Sequence, residues 1–94
     1  MSSYGGAQQQ VKRKGLAKAI TGAANNGSGL IRITAANHTF RTEDRITITG
    51  VGGTVEANAQ KWRITVITPN TFDLQGSTFT NAYTSGGIAK RTQG

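Results

Sequence analysis

The chain is 94 residues long, carries a formal net charge of +7 and contains no cysteine. That length allows one small domain with a thin core, and the missing cysteines exclude a disulfide staple or a thiolate metal site. No apolar run approaches the roughly 20 residues that a bilayer span needs. Lys12, Arg13 and Lys14 are followed by short Ala/Ile stretches rather than the apolar block of a secretion signal, so a soluble protein in a reducing compartment, with no membrane partner, is expected.

The charge is uneven. Residues 1–29 hold Lys12, Arg13, Lys14 and Lys18 and no acid, a sum of +4; the remainder sets seven Lys/Arg against Glu43, Asp44, Glu56 and Asp73, a sum of +3. Such a basic segment attracts polyanions in general: nucleic acid, an acidic protein surface or anionic lipid.

Residues 1–10 carry almost no core-forming side chains and cannot recover the entropy of ordering by themselves. Residues 11–20 show a weak helical pattern, with Leu16 and Ile20 four apart, and Gly15 makes an isolated helix marginal. Thr21 to Gly29 is rich in Gly, Asn and Ser and is expected as a flexible link. Residues 1–29 are therefore expected to form an extended basic arm, and residues 30–94 the folded domain.

That domain is predicted to be all-β. Leu30–Thr34, Arg45–Thr49, Trp62–Ile67 and Thr71–Leu74 alternate apolar with polar side chains between Gly, Asn, Asp and Pro punctuation, as half-buried strands do. Ile88 supplies a last strand, and Pro69-Asn70 marks the turn between the third and fourth. Glycines at positions 50, 52 and 53, and again at 86 and 87, are expected to mark bulged loops. Five to six short strands with no intervening helix favour a small antiparallel barrel or tight sandwich. Its core is expected to be Ile31, Ile33, Ile46, Ile48, Trp62, Ile64, Val66, Phe72, Leu74 and Ile88.

Chemistry-bearing groupings are sparse. His38, the single histidine, has Asn37, Thr39 and Phe40 as neighbours and reads as a turn residue rather than a metal ligand. Glu43 and Asp44 are adjacent in a turn, where their side chains should diverge rather than act as an acid/base pair. Gly50-Val51-Gly52-Gly53 lacks the Lys-Ser/Thr of a phosphate loop, and no nucleophile elbow or dinucleotide fingerprint surrounds the abundant Ser and Thr. No catalytic residue, metal or cofactor is expected, and the protein reads as a non-enzyme. Trp62 and Phe72 fall in phase with the aliphatic face and read as core rather than as base-stacking platforms. Phe79 and Tyr83, in the long connection before Gly86, are expected to plug the end of the sheet.

Two runs carry a resemblance: Ile46-Thr47-Ile48-Thr49-Gly50-Val51-Gly52-Gly53-Thr54-Val55-Glu56-Ala57-Asn58, and Phe72 to Gly87 with its Gly76-Ser77-Thr78-Phe79 and Tyr83-Thr84-Ser85-Gly86-Gly87 stretches. Over roughly residues 34–91 the chain resembles a phage-borne β module that is itself similar to the first catalytic cysteine half-domain of ubiquitin-activating enzymes. In those enzymes the insert is a small β-barrel and not the seat of the thiol chemistry. In phages the module occurs in virion proteins, singly or as repeats in tail- and fibre-associated chains. This sequence departs from the pattern in two places. Asn58-Ala59-Gln60-Lys61-Trp62 is a residue longer than the usual Asn-Gly-Thr-Trp, and Glu43-Asp44 replaces a common Gly-Asp, so Glu43 must avoid or tolerate a turn conformation natural to glycine.

The resemblance implies a phage virion structural protein, assembled in the host cytoplasm and present in repeated copies in a symmetric assembly. A capsid decoration or cement role is expected, with a head–tail connector or a tail- or fibre-associated component as the alternative. Lys12, Arg13, Lys14, Leu16, Lys18 and Ile20 are the expected arm contacts to the major capsid or tail subunits. Removing residues 1–20 is expected to leave the β body folded. A small nucleic-acid-binding protein is the other class, with a basic surface of Arg32, Arg45, Lys61, Arg63 and Arg91.

Overall fold

Seven antiparallel strands make one sheet in the computed structural model, which describes residues 16–59 and 61–92. In chain order they are β1 (Ala17–Ala19), β2 (Gly22–Asn25), β3 (Ile31–Thr34), β4 (Arg45–Thr49), β5 (Lys61–Thr68), β6 (Thr71–Leu74) and β7 (Ile88–Thr92), with a 3-10 turn at Val55–Ala59 before β5. Their order across the sheet is β1-β7-β4-β5-β6-β3-β2. The all-β expectation holds, with more strands than the sequence pattern showed.

β5 folds this sheet over. Lys61 to Arg63 pair with β4, whereas Ile64 to Thr68 pair with β6, and the register slips between Val66 and Thr68. One strand thus belongs to two half-sheets, changing partner between Arg63 and Ile64. Between the halves lie Ile31, Ile33, Ile46, Ile48, Ile64, Phe72 and Leu74, all fully buried, with Trp62 at 6% exposure. These are the alternate residues of strands whose other face is wet. Trp62 also donates its indole N–H to Ala57 O at 2.8 Å, which satisfies the one polar atom its burial would otherwise strand.

The N-terminal segment corrects the expected arm. Ala17–Ala19 and Gly22–Asn25 are strands, not parts of a weak helix and a flexible link. Leu16 O accepts from Arg91 N–H at 2.7 Å and Ile20 N–H donates to Gly87 O at 2.9 Å, so this stretch lies along β7. One residue later, Thr21 N–H donates to Thr34 O at 2.9 Å, and Gly22 stands opposite the same Thr34. Two residues against one is a bulge, and there the chain leaves β7 and continues along β3. The spacing that suggested a helix fits a strand as well, because four is an even number: Leu16, Lys18 and Ile20 share one face, and Ile20 is 4% exposed in the core. Residues 1–15, including Lys12, Arg13 and Lys14, lie outside the described residues.

The sheet is not closed into the expected barrel, because its edges, β1 and β2, do not pair with each other. They are consecutive pieces of one segment.

Three assignments change. Val66, expected in the core, is only partly buried against it. Ile88 is 44% exposed and Ala89 is fully buried opposite Ile48; the parity of β7 turns the smaller residue inward. His38 lies in the turn segment after β3, as expected, but at 1% exposure. Its Nε2 is 2.9 Å from Thr68 O, and its Nδ1 accepts from Phe40 N–H at 3.0 Å. Those partners assign the neutral Nε2–H tautomer. The ring stacks on Phe40 and meets Phe72 edge-on, with centroids 5.5 and 5.3 Å away. The flanking residues Asn37 and Thr39 have φ of +52° and +58°, a conformation that is strained for a β-branched residue such as Thr39. The ring thus anchors a turn that the backbone alone would not favour.

If residues 16–20 are part of the fold, Ile20→Ala removes a buried side chain from it. Urea unfolding should show a loss of about 2–4 kcal/mol, where a flexible arm would give less than about 0.5 kcal/mol.

Candidate interaction surface

β4, β5 and β7 present their even and odd residues to opposite sides, so register decides where each cation goes. Arg45 stands opposite Arg63, and Thr47 stands between Lys61 on β5 and Lys90 on β7. Ile46, Ile48, Trp62, Ile64 and Ala89 fill the other face. Arg45, Lys61, Arg63 and Lys90 therefore share the outer face of this half-sheet. Lys90 was not among the expected basic residues; its signal is its parity, one residue from buried Ala89.

Arg32 does not join them. It lies on the outer face of the other half-sheet, opposite Asp73, with Nε 2.7 Å from Oδ1 and Nη2 3.2 Å from Oδ2. Asn26 Nδ2 donates to the same carboxylate at 2.9 Å. Burial pushes Asp73 up, but the Arg32 and Asn26 hydrogen bonds outweigh it and hold the carboxyl below its ordinary value. Arg32 is thus a structural cation with its charge neutralised in place.

Arg91 turns the other way as well. It is the cross-strand partner of Ile46, on the core side, and its Nε lies 3.2 Å from Asp44 Oδ2. Asp44 also accepts from Arg41 N–H at 2.8 Å, which closes the turn into β4. Glu43 points outward to Arg63, with Oε1 3.5 Å from Nη1. The two carboxylates diverge as expected of a turn, and Glu43 adopts φ +78°, the left-handed conformation that glycine would take freely.

Of the expected arm contacts, Leu16 packs against the core and Ile20 is inside it. Lys18 is opposite Ala89 and shares their face. These side chains lie against the chain's own sheet, with Leu16 and Lys18 half-buried and Ile20 buried.

The loop from Gln75 to Gly87 has no regular structure, yet it is pinned. Glu56 accepts from Thr80 N–H at 2.6 Å, Asn81 N–H at 2.9 Å and Asn81 Nδ2 at 3.0 Å. Thr54, fully buried, donates its hydroxyl to Asn81 O at 2.8 Å. Tyr83 donates to Gly86 O at 3.0 Å, and both it and Phe79 pack against the core, as expected of plugging residues. Gly53 lies beneath this loop at φ +79°, where a Cβ would collide with Ala82 O and come within 2.6 Å of Thr84 N. Only glycine meets both demands there. Among the described residues, no group of three or more His, Cys, Asp or Glu side chains is placed to hold a metal.

Burial pushes the Glu56 carboxyl up, but the hydrogen bonds from Asn81 and Thr80 outweigh it and lower it from 4.5 to about 2. A lowered folded value means stability that is present above the ordinary value and lost as pH falls toward about 2. Glu56→Gln should therefore cost about 1–2 kcal/mol at neutral pH. In urea titrations the gap between the two proteins should narrow between about pH 4.5 and 2 and vanish below it.

Residues 27–93 match the family model described as the ubiquitin-activating enzyme E1 FCCH domain. No curated protein matches the chain significantly. The match spans β3 to β7, the whole ladder except the segment that covers its edges.

Proposed function

The chain belongs to the ubiquitin-activating enzyme E1 FCCH domain family, and we propose that this member is a non-enzymatic structural protein of a bacteriophage particle. In this reading it is a capsid decoration protein, present in repeated copies, that docks on major structural subunits. A head–tail or tail-associated position is the alternative placement for the same kind of protein. The domain is non-catalytic in the ubiquitin-activating enzymes, so membership brings a β scaffold rather than a reaction.

The observation that carries the reading is the run from Phe72 to Gly87. It is a stretch that resembles phage virion modules; after its first residues, which lie in β6, it is a surface loop tied down by Glu56, Thr54 and Tyr83. A loop fixed in this way presents a preformed contact surface and loses little entropy on docking. The basic residues Lys12, Arg13 and Lys14 precede β1, and an arm there adds contact area to a small body.

The decisive truncation stops at residue 15. Deleting residues 1–20 would take β1 and Ile20 with it and confuse loss of docking with loss of fold. The chain lacking residues 1–15 should keep its urea midpoint and far-ultraviolet circular dichroism, yet be depleted at least about tenfold from purified particles, a loss of about 1.4 kcal/mol of binding. Quantitative mass spectrometry of those particles reads the result. Full occupancy by the truncated chain would refute the arm's role, and absence of the intact chain from particles would refute the virion assignment.

A further inference from the structure

We propose that Asn26-Gly27 is a modification site, where the side-chain amide converts spontaneously to aspartate or isoaspartate. The opening of its turn sets the rate, and conversion loosens β2 from the sheet. Of the six asparagines, at 25, 26, 37, 58, 70 and 81, Asn26 alone precedes a glycine. Glycine has no side chain to obstruct its own backbone nitrogen and turns freely into the conformation that attack requires. In that reaction Gly27 N loses its proton and forms a bond to Asn26 Cγ. The Cγ–Nδ2 bond breaks, and the nitrogen leaves with the electron pair and takes up a proton as ammonia. Water then opens the five-membered imide at either carbonyl, giving aspartate or isoaspartate with no change of oxidation state. Solvent reaches the site, because Gly27 is exposed and Asn26 is half-buried.

The folded turn engages each reacting group. Gly27 N–H donates to Asn25 Oδ1 at 2.7 Å, which keeps the nucleophile protonated. Asn26 Oδ1 accepts from Ser28 N–H at 2.7 Å and from Leu30 N–H at 3.2 Å, and its Nδ2 donates to Asp73 Oδ2 at 2.9 Å. Turning the amide toward Gly27 N breaks these bonds, so the reaction waits on local opening. The product does not fit the same frame. An aspartate at position 26 puts an oxygen where Nδ2 stands, leaving two like-charged acceptors with no proton between them. Isoaspartate lengthens the backbone by one carbon within the turn that sets Asn25 opposite Ile31. β2 covers the edge of β3, and loosening it uncovers the N–H and C=O groups there. The site is thus gated by the fold and irreversible once used. This inference does not depend on the virion reading.

The test is peptide mapping by mass spectrometry of the full chain incubated at neutral pH, folded and in guanidinium chloride, which resolves the amide, aspartate and isoaspartate forms at position 26. Unfolded, Asn26 should convert faster than the other five asparagines. Folded, it should convert at least about tenfold more slowly than unfolded. Asn25→Ala frees Gly27 N–H and should speed conversion at least about threefold under conditions where circular dichroism shows the variant fully folded. N26D makes the direct product and should lower the urea midpoint. N26D/D73N should recover most of that loss, because Arg32 keeps one carboxylate and the like-charge contact is gone. The proposal is overturned if Asn26 is not the fastest site in the unfolded chain, if folded and unfolded rates agree, if Asn25→Ala leaves the folded rate unchanged, or if N26D unfolds at the parent's midpoint. A double variant no more stable than N26D overturns the part assigned to Asp73.

Discussion

A five-stranded ladder running β7-β4-β5-β6-β3 has two edges, each a row of N–H and C=O groups that invites pairing with another chain. Residues 16–25 cover both. The first half of the segment lies along β7, the second half along β3, and the change of partner takes place over Ile20, Thr21 and Gly22. β5 makes the same kind of transfer between β4 and β6. The two half-sheets are thus joined at two places by continuous backbone, and Ile20 enters the core where the first transfer occurs. Hydrogen bonding across the edges and burial between the half-sheets depend on that one crossing.

The strands β3 to β6 were legible because their signal is local. Ile31 and Ile33, Ile46 and Ile48, Trp62 and Ile64, and Phe72 and Leu74 repeat every two residues, and a half-buried strand needs no more than that. The N-terminal strands were hidden because Ala17, Ala19 and the Gly22–Asn25 stretch carry little strand propensity. They are held by edges they cover, a tertiary cause absent from any short window. Ile88 is the opposite case: it is a good strand residue, but β7 is phased by its pairing with β4, which puts Ala89 inside. His38 was readable as a turn residue; its burial depends on Thr68, Phe40 and Phe72, which no sequence neighbour reveals.

The charged surface was half legible. Within a strand, alternation correctly sent Arg45, Lys61 and Arg63 away from the core. Across strands, register decides, and register comes from the whole sheet. Asp73 lies opposite Arg32 from a distant part of the chain, and Asp44 meets Arg91 from the opposite end of the domain. Lys90 takes the place that Arg91 was expected to fill, a shift of one residue that exchanges the two faces.

The bond from Arg91 N–H to Leu16 O brings the two ends of the described fold side by side. A unit whose entry and exit strands adjoin can be spliced into a surface loop of a host protein without forcing that loop's ends apart. It can equally be strung between neighbours by short linkers, each copy folding around its own core. That portability is a property of the backbone path alone, independent of which side chains decorate the surface. It is the geometric condition for one β scaffold to be carried by chains of different architecture.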